Sequence, residues 1–143
     1  MTSSELNKPY WILRIVFGVV PIVAGLDKFT NLLTNWQQYL SPLVSRTFPP
    51  ATFMHFVGIV EIIAGAVVLS RFARLGAYLV ALWLIAIAMN LVTTGQYLDV
   101  AVRDLVMAAG AFTLAKLEES RERQATREVP ASATLAFEHP SRY

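Results

Sequence analysis

A single carboxylate, Glu61, lies in the middle of residues 51–70, a stretch that is otherwise almost wholly apolar. Its length suits a helix crossing a hydrocarbon core of about 30 Å. A charge at that depth is expensive and needs a partner, a proton or water. Five further polar side chains lie within or beside apolar stretches: Arg14, Lys28, Asn90, Arg103 and Asp104. At about 1.5 Å per helical residue, Arg14 falls a little over one turn from the inner end of its span and Glu61 near the middle. Asn90, Arg103 and Asp104 fall in the outer half, with Asp27, Lys28 and His55 near the outer surface. The formal charges of Arg14, Glu61, Arg103 and Asp104 cancel, as buried groups that pair should. Arg14 and Arg103 approach the centre from opposite sides of the mid-plane, so each is a partner open to Glu61.

Two kinds of chemistry suit this set. One is a polar pocket opening toward the outer leaflet and floored by Glu61, able to hold a quinone headgroup or pass a proton; intramembrane ionisable groups are functional candidates by default. The other is structural. Arg14 would then snorkel to the inner face, while Arg103 and Asp104 with Asn90 would brace the third span against the fourth.

Several reactions are excluded by what the chain lacks. With 0 Cys it has no thiol chemistry, disulfide, thiolate zinc site or iron–sulfur ligation of its own. His55 is the one histidine near a span, and one histidine cannot supply both axial ligands of a b-type haem. There is no phosphate-binding loop, dinucleotide glycine pattern, metal triad or Ser–His–Asp set. No metal site and no catalytic residue are expected, and an enzyme acting alone is not indicated. The net charge of +2 is small and its basic residues are scattered, so nucleic acid is not an expected partner.

The elements that must position these residues are helices in a membrane. Hydrophobic residues make up 55% of the chain and charged ones 15%, where a soluble domain carries about a quarter charged. Four apolar segments cover residues 10–26, 51–70, 75–94 and 97–117. The first lacks a basic leader and a small-residue cleavage site and is read as retained. With its flanking charges it gives spans of about 10–28, 51–70, 75–94 and 97–117. The expected fold is all-α: a transmembrane four-helix up-down bundle over residues 1–117, followed by a tail at 118–143. A soluble bundle of unusually apolar helices is the alternative.

Within the first span Arg14, Gly18, Pro21, Gly25 and Lys28 recur at helical spacing and form one stripe. Pro21 is expected to kink the helix and free a carbonyl. Residues 18–25 align with residues 58–65, Pro21 taking the place of Glu61. This is a decayed duplication or a coincidence of apolar sequence. Either way, Gly18 and Gly25 in one span and Gly58 and Gly65 in the other make faces suited to close helix packing. Ala108, Ala111 and Ala115 continue a small-residue stripe from Asp104 in the last span.

The longest connection is residues 29–50. Thr34 and Asn35 can cap a short helix through Leu40 that Ser41 and Pro42 end. Trp36, Tyr39 and Leu40 share one face, which predicts an interfacial helix lying on the membrane; a plain loop with membrane-dipping aromatics is the alternative. Gly95 and Gln96 make a tight turn. Beyond residue 117 the charges are mixed, so the helix is expected to run on for a few turns and become irregular from Val129. Lys8, Arg71, Arg74, Lys116, Arg121 and Arg123 would lie on one side, and Lys28 and Arg46 on the other. That asymmetry puts both termini in the cytoplasm.

Leu13-Arg14, Gly18, the run Ala24-Gly25-Leu26-Asp27-Lys28-Phe29, Gly58 to Glu61 and Gly65, Asn90, and Arg103-Asp104-Leu105 together resemble the DoxX-like family of small four-span bacterial membrane proteins. The resemblance covers residues 10–117. It implies a multi-pass protein of the bacterial cytoplasmic (inner) membrane, with Arg14, Lys28, Glu61, Asn90, Arg103 and Asp104 as the family's polar core. It further implies a non-catalytic subunit of a larger membrane redox or electron-transfer complex with a quinone-accessible pocket. A membrane subunit of a quinone-reducing enzyme such as thiosulfate:quinone oxidoreductase is a second reading, and a small transporter a third. The expected partners are lipid, quinone and other membrane subunits, with the C-terminal tail as a contact.

Overall fold

In the computed structural model, which describes residues 3–137 and the side chains of residues 7–126, four long helices carry nearly all of the chain. They are α1 (Ser3–Thr30), α3 (Pro50–Leu69), α4 (Ala73–Thr94) and α5 (Leu98–Phe137), with a short α2 (Pro42–Thr47) in the first connection. Three are long and apolar enough to cross a membrane: α1 over Asn7–Thr30, α3 over Pro50–Leu69 and α4 over Ala73–Thr94. The apolar first half of α5 packs along α4 and touches α1, completing an up-down-up-down bundle in the order α1, α3, α4, α5. Among the described residues there are no strands.

The large apolar side chains mostly face outward. Ile12, Val20, Phe56, Ile63, Leu82, Met89, Val102 and Val106 are exposed around the bundle, the arrangement lipid tails require. The interior is built from small residues instead. Ala77 and Ala81 of α4 pack with Ala111, Leu114 and Ala115 of α5 and with Tyr10 and Phe17 of α1. With lipid as apolar as leucine, close backbone approach and dispersion hold such helices together.

The α1–α3 contact is the closest. A Cβ on Gly25 would come 2.5 Å from the Gly58 carbonyl oxygen, and one on Gly58 would come 2.6 Å from the Gly25 carbonyl oxygen. Gly65 stands against the Gly18 carbonyl in the same way. The side chains follow the same rule: Ile62 lies over Gly25 as Ile22 lies over Gly65, and Phe29 abuts Gly58 as Leu69 abuts Gly18. The two aligned segments, 18–25 and 58–65, thus meet each other across a local two-fold axis. Lys28 and Glu61 break that symmetry, since Val68 and Pro21 occupy the equivalent places.

The first connection holds two short helical pieces where one short helix or a plain loop was expected. Trp36–Tyr39 forms a single three-ten turn capped by Asn35, whose side chain accepts from the Gln37 N–H. Its aromatic face turns to the protein: Leu40 is buried, Tyr39 packs edge-on to Tyr97 at 4.8 Å, and Trp36 reaches toward α1. Lys28, Asp27 and Asn90 supply the polar partners on that side. A second helix, α2, then starts at Pro42, with the Ser41 side chain accepting from the Val44 N–H. It is Leu32, Leu33, Leu43 and Phe48 that point outward here.

At the far end, α5 is 40 residues long and continues to Phe137 instead of turning irregular at Val129. Lys116–Glu119 and Glu119–Arg123 pairs at 3.0 and 2.5 Å link successive turns where the apolar part ends. Residues 138–143 lie outside the described residues.

Candidate functional site: a buried charge cluster

Lys28 stands in the last turn of α1, where a Cβ on Gly58 of α3 would come 3.2 Å from its own Cβ. Glu61 is three residues further along α3, about 4.5 Å deeper on the helix axis, a distance the lysine methylenes can cover. The Lys28 ammonium accordingly reaches inward and lies 2.6 Å from Glu61 Oε2, with the two side chains only 4% and 8% exposed. Neither Arg14 nor Arg103, the partners expected for Glu61, contacts it. The glycine register of α1 against α3 is the reason, because it sets Lys28 directly over the face that carries Glu61.

The first connection closes this pair from outside. The Trp36 ring covers the ammonium, its centroid 3.7 Å from Nζ, a cation–π contact of good geometry. Trp36 Nε1 donates to Asp27 Oδ2 at 2.7 Å. Asp27 also accepts from the backbone N–H groups of Leu32 and Leu33 and from the Thr30 hydroxyl. This buried carboxylate therefore ends α1 and holds the chain reversal in which Asn31 takes a positive φ of 52°. The consecutive pair Asp27-Lys28 does two jobs: one residue folds the connection, and the next is covered by it.

A second carboxylate joins the pair from α5. Asp104 is buried and lies within electrostatic reach of both Glu61 and Lys28. From α4, Trp83 places its indole N–H beside the Glu61 carboxylate. That N–H is buried and completes no hydrogen bond. The Lys28 ammonium and the Glu61 carboxylate thus meet in the half of the bundle nearest the first connection, with the Trp83 indole beside them and the buried Asp104 carboxylate of α5 within electrostatic reach.

The other residues expected in the polar core go elsewhere. Arg14 lies at the opposite end of α1, where it donates to the carbonyls of Val68, Leu69 and Ser70 and to the Tyr10 hydroxyl. It caps the C-terminus of α3, satisfying carbonyls that the helix leaves free and meeting the negative end of its dipole. Asn90 does not brace α5. Its Oδ1 accepts from the Ser41 N–H at 3.2 Å and its Nδ2 donates to the Tyr39 carbonyl at 2.7 Å, which ties the first connection to α4. Arg103 turns outward to Asp99 at 3.6 Å, with both side chains largely exposed, and is still the strongest charge acting on its buried neighbour Asp104. His55 stacks on Phe29 with ring centroids 4.9 Å apart. Trp36, Asp27 and Trp83 were not among the expected site residues. Among the described residues no group of His, Cys, Asp and Glu could hold a metal ion.

Residues 10–94 match the DoxX family, more than half of the chain, with three membrane-length helices in that region. The chain is a multi-pass membrane protein that belongs to the DoxX family. No curated protein and no solved structure matches it.

Proposed function

We propose that this chain is a non-catalytic subunit of a larger membrane redox or electron-transfer assembly, in which the Lys28–Glu61–Asp104 cluster offers a polar site to a quinone headgroup. The observation that carries this is Asp104. The Lys28–Glu61 pair is neutral and could serve as a brace by itself. Asp104 is a second buried carboxylate, within electrostatic reach of its neighbour Arg103 first and then of Glu61 and Lys28, and a carboxylate at that position favours a proton, a water or a donor from a ligand. The site lies in the outer half of the bundle, at a depth that a lipid-soluble headgroup can reach.

The same reading places the protein in the bacterial cytoplasmic membrane with both termini in the cytoplasm. The end that carries Arg14, Arg74, Lys116 and Arg121 is the more basic one, and Lys28 is withdrawn from the opposite end by burial. Residues 118–137 of α5 run about 30 Å past its apolar part, long enough to meet a cytoplasmic partner. Purification in mild detergent from the native membrane tests the assembly. A native mass well above that of a homo-oligomer, with flavin or haem absorbance in the same peak, is the expected result. A colourless peak containing this chain alone would rule the assembly out.

A further inference from the structure

The first connection carries four large apolar side chains that the bundle leaves uncovered: Leu32, Leu33, Leu43 and Phe48 are 85%, 69%, 78% and 53% exposed. Exposed apolar surface of this extent marks contact with another apolar medium. Helix lengths set its depth. The apolar part of α1 is 24 residues, about 36 Å, and α3 is 20 residues, about 30 Å, the thickness of a hydrocarbon core. Leu32 and Leu33, just past α1, and Phe48, just before α3, therefore fall at the hydrocarbon boundary. They also continue the surface that the spans turn to lipid. Leu26 and Phe29 of α1 precede them and are exposed, and the Phe48 ring lies 5.9 Å from that of Phe53 in the first turn of α3.

We infer that the first connection is a lipid anchor, with Leu32, Leu33, Leu43 and Phe48 set into the adjoining leaflet and Arg46 bonded to a phospholipid phosphate. The backbone suits that medium, where a free N–H is costly. The N–H groups of Leu32 and Leu33 donate to the Asp27 carboxylate, and that of Phe48 to the Val44 carbonyl. Pro42, Pro49 and Pro50 have no N–H to satisfy. Within α2, Arg46 and Thr47 lie three and four residues from Leu43 and share its side of the helix, while Ser45 falls opposite. The Thr47 hydroxyl donates to the Leu43 carbonyl at 3.0 Å, so it makes no demand for water there. Arg46 is the one charged residue of α2, is exposed, and makes no ion pair among the described residues. Its long stem can lie along the apolar side while the guanidinium fork meets a phosphate. A soluble protein is the other occupant of an apolar face, but it would have to reach past the headgroups to cover residues at the hydrocarbon boundary. Anchored in this way, the segment that lays Trp36 over the Lys28–Glu61 pair is held from the lipid side as well as by Asp27 and Asn90.

The test uses the full chain, which has no cysteine of its own, carrying Leu32→Cys, Leu43→Cys or Ser45→Cys with a nitroxide label. Each is reconstituted in vesicles of phosphatidylethanolamine and phosphatidylglycerol. Collisions of the label with oxygen, which concentrates in hydrocarbon, are compared with collisions with a water-soluble nickel chelate. The oxygen-to-nickel ratio should be several-fold higher at positions 32 and 43 than at position 45. Arg46→Glu reverses an exposed charge, so it should lower the ratio at position 43 with an unchanged melting temperature. Ratios at positions 32 and 43 as low as that at position 45 would overturn the anchor and leave this face to a protein partner. An unchanged ratio at position 43 in Arg46→Glu would overturn the phosphate contact.

Discussion

Lys28 Nζ lies 2.6 Å from Glu61 Oε2, although Lys28 stands in the last turn of α1 and Glu61 near the centre of α3. The lysine is directed into the bundle because the alternative for Glu61 is an unpaired charge in hydrocarbon. The connection that follows then folds over the pair through Trp36 and Asp27. The ion pair ties α1 to α3, while Asp27 ends α1 and Asn90 holds the connection that covers the pair.

The α1–α3 interface should be intolerant of a single methyl group. A Cβ at Gly25 or Gly58 meets backbone oxygen of the opposite helix, which cannot rotate away. Gly58→Ala should destabilise the detergent-solubilised bundle by about 1–3 kcal/mol. Gly110→Ala should cost less, because a Cβ there meets the tip of the Phe17 ring, which can move. Thermal unfolding of the two variants checks the ranking, and equal melting temperatures would contradict it.

Asn90 holds the first connection by two hydrogen bonds to backbone groups. Asn90→Leu strands the Ser41 N–H and the Tyr39 carbonyl and should cost about 1–3 kcal/mol. Its signature is local. Amide exchange in residues 34–48 should speed up while the centres of α3 and α4 stay protected. Uniform loss of protection would point to global unfolding instead.

Orientation can be read chemically because the chain has no cysteine of its own. A cysteine at Ser45 should react with a membrane-impermeant reagent in intact cells, and one at Ser120 should react only after lysis. The reverse pattern would invert the topology.

Arg14 caps α3 from another helix, so its removal should act at a distance. Arg14→Leu frees the carbonyls of Val68, Leu69 and Ser70 and should cost about 1–3 kcal/mol. Arg14→Lys should recover only part, since one ammonium cannot reproduce the guanidinium fork. Full recovery by lysine would show that charge alone sufficed.

The all-helical architecture was legible because hydropathy and span length are summed over about 20 residues and tolerate local error. The partner of Glu61 was not. Depth counted along separate helices left Arg14 and Arg103 as candidates, whereas the answer lay in how two glycine faces register. Setting Gly25 against Gly58 puts Lys28 over Glu61, so the signal was present in the stripe that ends at Lys28. Asn90 and Arg103 were misplaced for a related reason. A polar residue at a span end can turn to a connection or to the surface, and periodicity does not say which. The aromatic face of residues 36–40 was visible, but its direction depended on Lys28, Asp27 and Asn90. Trp83 offered no sequence signal, since a tryptophan in an apolar span reads as packing.

The central claim, that the Lys28–Glu61 pair organises the bundle, is tested most directly by a double-mutant cycle on thermal unfolding in mild detergent. Lys28→Met and Glu61→Gln each leave a polar group without its partner. Lys28→Met is the worse of the two, because it abandons Glu61 beside Asp104, and it should cost about 3–5 kcal/mol. The double variant should be more stable than Lys28→Met alone, giving a coupling energy well above about 1 kcal/mol. Additive effects, with no coupling between positions 28 and 61, would contradict the account.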